Sequence, residues 1–513
     1  MAPTATPKDH FPSLVSCTKV TDEKDLYDVK FYPYPTGDDD SIFAVAGAND
    51  LYVCRSRLDV ESTFEVLRWF KSDSDKQDFN SIAWSRDPVT RKPIICAAGA
   101  TPKEIQIFDI EKGERVRSLI GHGNAVNDLA VSPLSSSLLV SASSDYTVRL
   151  WNLDPEYEDQ PCVAVFAGEG HRQHVLSCHF HPNGKWMLTA GLDQAVCLWA
   201  VPSMQEIKES RKREGHPRPL TVYYPHFQST EVHANYIDTA VFFGDLIISR
   251  AAIDQQAYTA AKGGKASKAV PNEILMWKID GFDSNDEPPT EPPIPVPGKW
   301  TRSSFPHKSG SLGFERCLTF DMPDTTRFYL RFSLLHQPNM RPILVMGNEQ
   351  TKFHFWDLQK LEEGYDPNEV PVKRPAGKKG KKKGGAASAP VSEGNLDRLG
   401  ELRRGESVAG SDAGVGTREY YLTFLAGKLN GTTTDASPAD LSSTSVSFPP
   451  DRKYDLGDSF MALKAHHSVE AQTTITKGHF ATAQIAWSPD GTWMVAVGDR
   501  GMMSIFHRDK SVV

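Results

Sequence analysis

The chain has 513 residues, with 57 basic against 65 acidic side chains and a net charge of −8, so bulk electrostatics exclude a nucleic-acid-binding body. Its seven cysteines show no CxxC spacing, and most fall in apolar stretches, as Cys96, Cys178 and Cys197 do; this excludes a disulfide framework or zinc site and points to an intracellular protein. The N-terminus lacks a secretory pattern, and no apolar run approaches the roughly 20 residues that span a bilayer, so a soluble, unsecreted protein without a membrane partner is expected.

One frame recurs along the chain: a Gly-His pair, an apolar run, a strand of small residues, a tight Asp turn and a strand closing on Trp. Its clearest copy runs from Gly121-His122 through Val140-Ser141-Ala142-Ser143 and Asp145 to Leu150-Trp151-Asn152, and a second runs from Gly170-His171 through Asp193 to Leu198-Trp199. This is the WD-repeat pattern of a β-propeller blade. A blade cannot bury both faces alone, so further copies must stack around a channel.

In chain order, blade one reads as Val29-Lys30-Phe31, Phe43 to Gly47 and Leu51-Tyr52-Val53, and blade two as Ser81 to Trp84, Ile94 to Gly99 and Ile105 to Asp109. The two clear copies are blades three and four. Blade five takes Tyr236-Ile237-Asp238, Leu246 to Ser249 and, after an insertion at 254–272, Ile274 to Trp277; blade six takes Leu330-Arg331-Phe332, Ile343 to Gly347 and Phe353 to Asp357. Blade seven starts at Gly478-His479 and ends at Ile505-Phe506, too near the C-terminus for its outer strand, so Leu14 to Val20 should supply that strand and close the ring. The fold class is all-β: one seven-bladed WD-repeat propeller over residues 1–513. About seven blades of some 40 to 45 residues account for most of that length.

Between blades six and seven, residues 364–470 are rich in Gly, Ser, Ala, Thr and Pro and read as a low-complexity insertion, with 419–425 as its best candidate for order. Its cluster Lys378-Lys379 and Lys381-Lys382-Lys383 reads as a solvated charge run, a nuclear-import signal or a weak nucleic-acid contact. Asp286 to Pro297 is Pro-rich and should be extended.

His122, Ser141 or Ser143, and Asp145 supply the residue types of a hydrolytic triad. The His and Asp recur as His171 and Asp193 and as His479 and Asp499, however, and an active site appears once; the repetition assigns them to the structural hydrogen-bond network of WD repeats, completed by Trp151. His179 and His181 share a strand face without a third ligand, and neither Gly264-Lys265-Ala266 nor Gly414-x-Gly416 completes a phosphate-binding motif. No enzyme, metal or cofactor is expected.

A propeller binds where the loops leading into its innermost strands gather around one mouth of the channel. Matching register places Tyr27, Asn80, Asn127, Leu176, Ile237, Phe328 and Ala483 there, blade by blade. Tyr27 and Phe328, with Tyr329 beside it, flank blade seven and its small Ala483. Aromatic walls around such a gap either plug the channel or receive a quaternary ammonium ion.

The strings Gly121 to Asn127, His233 to Asp238 continuing to Ser249, and Phe328-Tyr-Leu-Arg-Phe-Ser333 resemble the extra sex combs, or EED, family of WD-repeat Polycomb subunits, over most of the chain from Leu26 to Phe506. The resemblance implies a nuclear, non-catalytic subunit of a histone-lysine methyltransferase complex. One mouth of such a propeller reads trimethylated lysine on a histone tail; the opposite side holds an Enhancer-of-zeste-type methyltransferase, alongside other Polycomb subunits. It places the peptide site on Tyr27, Asn80, Phe328 and Tyr329, with Trp84 behind them and Tyr236 and Asn127 near the rim. Asn80 stands where the family has an aromatic residue, and Phe328 where it has Trp. The alternative is a histone-chaperone or ubiquitin-ligase adaptor propeller without methyl-lysine readout.

Overall fold

A computed structural model describes residues 11–21, 24–34, 41–47, 49–58, 62–71, 77–212, 218–252, 273–363, 456–471 and 479–509. The blade-five insertion expected at 254–272, the lysine cluster at 378–383 and the 419–425 segment lie outside them. The chain divides into a unit of residues 1–359 with 458–513, which holds every strand, and a unit of residues 360–457.

Seven separate sheets form the blades. From the inner strand outward, blade one is Asp28–Phe31, Ile42–Gly47, Asp50–Ser56 and Phe64–Lys71; blade two is Ser81–Arg86, Pro93–Ala98, Ile105–Asp109 and Glu114–Leu119. Blade three is Val126–Val131, Leu138–Ser143, Val148–Asn152 and Cys162–Phe166; blade four is Val175–Phe180, Trp186–Gly191, Val196–Ala200 and Phe227–Ser229. Blade five is Ile237–Phe243, Leu246–Ala251, Glu273–Ile279 and Phe314–Asp321; blade six is Ser333–Leu335, Ile343–Gly347, Lys352–Asp357 and His467–Glu470. Blade seven is Thr482–Trp487, Trp493–Gly498 and Met502–His507. Second strands such as Ile94-Ile95-Cys96-Ala97-Ala98 are buried on both faces, because each blade is covered by its two neighbours; hence they read as unbroken runs of small and β-branched residues rather than alternating ones.

Ring closure follows the expected scheme. Ser13–Lys19 pairs antiparallel with Met502–His507 as the outer strand of blade seven, Leu14 opposite Phe506 and Cys17 opposite Ser504. Just before it, Phe11 is buried, stacked on His467 and tilted against Phe355 of blade six.

A second device was not legible beforehand. In blades four, five and six the connection from third to fourth strand reaches back to the preceding blade and adds a fifth strand to it. Leu220–Val222 lies parallel on Cys162–Phe166 of blade three, Thr301–Ser303 antiparallel on Phe227–Ser229 of blade four, and Ala462–Leu463 parallel on Phe314–Asp321 of blade five. The Pro-rich stretch 286–297 is thus part of a strap between blades.

Three expectations need correction. Leu330-Arg331-Phe332 precedes the inner strand of blade six, which is only Ser333–Leu335, because Phe328-Tyr329 form a turn with Tyr329 at φ +60°. The tail of the expected 364–470 insertion belongs to the propeller, since 462–463 and 467–470 are strands of blades five and six. The WD network also fails in blade seven: His479 faces Thr351 across 3.5 Å, while Asp499 accepts the Ala481 N–H at 2.9 Å and pairs with Arg327 at 2.5 Å.

Blades three and four carry the network complete. His122 Nδ1 bonds Asp145 at 2.8 Å and its Nε2 bonds Ser141 Oγ at 2.7 Å, and the same hydroxyl accepts the Trp151 indole N–H at 2.8 Å. In blade four His171, Asp193, Thr189 and Trp199 repeat it. With the hydroxyl held by both rings, no nucleophile is left for the triad reading. Blade five keeps only His233 to Ser249 at 2.8 Å and Trp277 to Ser249 at 2.9 Å.

Two predictions follow from this packing. Deleting residues 1–20 uncovers the edge of Met502–His507 and empties the Phe11 site, which should cost at least about 3 kcal/mol in denaturant unfolding. Burial also pushes the His233 pKa from 6.5 down to about 3. Because the folded value lies below the unfolded one, the unfolded chain binds the extra proton between them, so stability is full above pH 6.5 and falls on acidification. His233 alone should account for about 2 kcal/mol of loss by pH 5. Urea titrations at pH 7 and 5 on wild type and His233→Asn measure it; an equal pH slope in both proteins would refute the assignment.

Candidate functional site

The channel wall is polar. Asp28, Asp128 and Asp238 stand at the start of the inner strands of blades one, three and five, all buried. Asp28 Oδ2 accepts the Ser81 hydroxyl at 3.0 Å and the Ile82 N–H at 2.8 Å, tying blade one to blade two. Lys30 Nζ reaches from blade one to Leu129 O in blade three at 3.1 Å. Asp128 Oδ2 accepts the Cys178 N–H of blade four at 3.0 Å.

The central strut is Arg331. From blade six its guanidinium crosses to Asp128 Oδ1 at 2.9 Å and to Leu176 O at 2.8 Å, and its backbone N–H donates to Ala483 O of blade seven at 2.9 Å. Arg250, fully buried, pairs with Asp238 and donates to Thr325 O at 3.1 Å and Arg327 O at 3.2 Å, tying blade five to the approach of blade six. Burial opposes charge on Arg331, but Asp128, Tyr329 and Asp28 outweigh it and raise its pKa. Burial likewise pushes the Asp128 carboxyl up, yet Arg331 and Lys30 prevail and hold it below the ordinary range. In Asp28 burial wins and the pKa rises.

Above this strut the aromatic residues gather at one mouth. The Arg331 guanidinium lies 5.3 Å from the Tyr329 ring centroid. Phe328 meets Tyr329 edge-on at 4.1 Å and Tyr236 edge-on at 5.4 Å. Phe328 is 39 % exposed and Tyr27 37 %, large values for rings of a well-packed fold. Burial, then the charges of Asp78 and Asp25, push the Tyr27 hydroxyl pKa up, which places two carboxylates within electrostatic range of that ring. Tyr27 makes no ring pair among the described residues, and Ala483 holds the matching register position in blade seven, which stands between blades one and six.

The structure therefore brings together Tyr236, Phe328 and Tyr329 and sets Tyr27 across blade seven from them. Asn80 lies beside Tyr27 but donates its amide to Val126 O in blade three at 3.4 Å. Two further expected members are buried. Trp84, expected behind the rings, is 4 % exposed, its indole N–H on Lys30 O at 2.8 Å and its ring against Tyr32, four residues beyond Asn80. Asn127 is buried, its amide given to Val175 O at 2.7 Å and Ser144 Oγ at 3.0 Å. Leu176 and Ile237, also expected at the mouth by register, are buried. Sequence reasoning missed Arg331 and Asp128; the recurrence of Asp at the head of three inner strands, against Lys30 and Arg331, was the signal. Replacing Arg331 by Met removes the hydrogen-bonded counter-ion of Asp128 and leaves only the more distant Lys30, which should cost about 3–5 kcal/mol in equilibrium unfolding, part of which Asp128→Asn in the same chain should restore.

Seven blades, a polar plugged channel and an open ring-walled mouth define a WD-repeat propeller of the peptide-binding class. The family described as WD domain, G-beta repeat matches residues 113–152, 160–200 and 470–507, which are parts of blades two to four, six and seven. The chain belongs to the Polycomb EED family: it is 30% identical to Polycomb protein EED of Chaetomium thermophilum over 95% of this chain and 91% of that one. It is 26% identical to Polycomb protein esc of Drosophila melanogaster over 65% of this chain and 70% of that one. Among solved structures, the crystal structure of the Chaetomium thermophilum Polycomb repressive complex 2 matches with a TM-score of 0.70 and 29% identity, covering 97% of this chain and 98% of that one. A chain of the same complex, solved with trimethyl-lysine histone H3 and a lysine-to-methionine histone H3, matches with a TM-score of 0.70 and 28% identity over 97% of this chain and 98% of that one. The resemblance drawn from blade five and from Phe328 to Ser333 is thus borne out.

Proposed function

We propose that this chain is the non-catalytic propeller subunit of a Polycomb-type histone-lysine methyltransferase complex, that it works in the nucleus, and that its mouth binds a histone tail through methylated lysine. The observation that carries the mouth assignment is the pair of part-exposed rings, Tyr27 and Phe328, in the blades on either side of blade seven, with Tyr236 and Tyr329 against Phe328. A quaternary ammonium ion is attracted to ring faces and has little hydration to lose, so a preformed ring gap suits it. The net charge of −8, with Asp25 and Asp78 beside Tyr27, favours a basic peptide. The relatives' place in Polycomb complexes favours a scaffold for the methyltransferase over a chaperone or ligase adaptor.

In this reading the rings do the selecting and the strut beneath holds them. Arg331 fixes the floor under Tyr329, and the turn at Phe328-Tyr329 aims both rings outward instead of along a strand. Occupancy of the mouth reaches the catalytic partner only if both subunits share a state that the bound tail favours.

Calorimetry with trimethylated and unmodified histone H3 peptides tests the assignment. Wild type should prefer the trimethylated peptide, and Tyr27→Ala or Tyr329→Ala should remove that preference with a loss of up to about 30-fold in affinity. Equal binding of both peptides by wild type would support the adaptor alternative instead.

A further inference from the structure

Asn80 and Asn127 occupy the same register in neighbouring blades, and their amide nitrogens do the same job. Each staples its blade to the next, Asn80 through Val126 O at 3.4 Å and Asn127 through Val175 O at 2.7 Å. The rest of the two side chains differs. Asn127 is buried and also engages the Ser144 hydroxyl, whereas Asn80 stays partly exposed and its carbonyl oxygen accepts no hydrogen bond among the described residues.

Its position is set by the blade contact beneath it. Asp28 bonds Ser81 and Ile82, so the residues one step nearer the mouth, Tyr27 and Asn80, lie side by side. Two residues earlier Asp78 is pinned by its backbone, its N–H on Thr101 O at 2.9 Å, while its half-buried carboxylate has neither hydrogen bond nor ion pair among the described residues. Burial raises its pKa. The blade-two side of the mouth is therefore a wall of two acceptors unengaged among the described residues, next to a part-exposed tyrosine ring.

Such a wall discriminates among methylation states. A trimethylammonium group has no N–H, so methyl groups pressed on these oxygens would strip water and return no hydrogen bond. Mono- and dimethylammonium groups keep an N–H and can donate a charge-assisted bond to Asn80 Oδ1 or to the Asp78 carboxylate while their methyls meet the rings. We propose that Asn80 and Asp78 are specificity-determining residues that make this mouth bind dimethylated lysine at least as tightly as trimethylated lysine; the proposal rests on the methyl-lysine reading above.

The test uses the full chain and four versions of one histone H3 peptide, carrying unmodified, mono-, di- and trimethylated lysine, with each ratio of Kd values taken on a single preparation so that altered stability cancels. Wild type should bind the dimethylated peptide with a Kd at or below that of the trimethylated one. Asn80→Leu, which removes the acceptor, and Asp78→Asn, which removes the charge, should each shift the ratio toward the trimethylated peptide by about 3- to 10-fold. A wild-type preference of tenfold or more for the trimethylated peptide overturns the inference and leaves the reader function standing. A dimethyl preference that neither substitution moves overturns the assignment to this wall. If no methylated peptide binds more tightly than the unmodified one, the reader function itself falls.

Discussion

The ion pair between Arg331 and Asp128 is the contact on which the rest of the molecule depends. A propeller's inner strands bring polar backbone ends and short side chains to a common axis where water is scarce, and a charge left alone there is costly. Arg331 answers this by reaching across the channel, so that one guanidinium satisfies a carboxylate of blade three, a carbonyl of blade four and, through its own backbone, blade seven. Asp128 in turn binds blade four, and Ser81 lies between it and Asp28, so six blades are linked through three buried ionisable side chains, Arg331, Asp128 and Asp28. Arg250 with Asp238 extends the set to the remaining blade.

That same strut is the floor of the mouth. Tyr329 adopts a left-handed backbone conformation, which a bulky residue holds only when its surroundings fix it, and Arg331 lies against its ring. The turn shortens the inner strand of blade six to three residues and frees Phe328 to stand half-exposed. On the proposed reading stability and recognition share residues here: the segment least regular as a strand is the one that presents the rings.

Outside the channel the ring is held by straps as well as by packing. Three successive connections lend a strand to the blade behind them, and the N-terminal strand closes the circle on blade seven. Each strap adds its fifth strand at the outer edge of a blade. The long segment expected between blades six and seven instead lies within blade six, in the connection from Lys352–Asp357 to His467–Glu470, and the chain after it supplies strands of blades five and six.

The sequence by itself determined the blade count, the closing strand, the absence of a catalytic triad and the family. Those depend on local periodicity and on a repeated hydrogen-bond set, His122-Asp145-Ser141-Trp151, whose members are spaced within one blade. It also put Tyr27, Phe328 and Tyr329 at one mouth, since register in equivalent strands transfers from blade to blade. The tertiary structure alone decided what crosses between blades. Trp84 and Asn127 share a strand or a register with the mouth yet turn into inter-blade contacts, with Lys30 and Val175 respectively, and no count along the chain tells which side of a strand end faces a neighbour. Arg331 reads as one more polar residue in an apolar string; only when 203 residues of separation to Asp128 are closed does it become the strut. The three straps were hidden for the same reason, because a three-residue strand carries too little periodicity to announce itself and its partner belongs to another repeat.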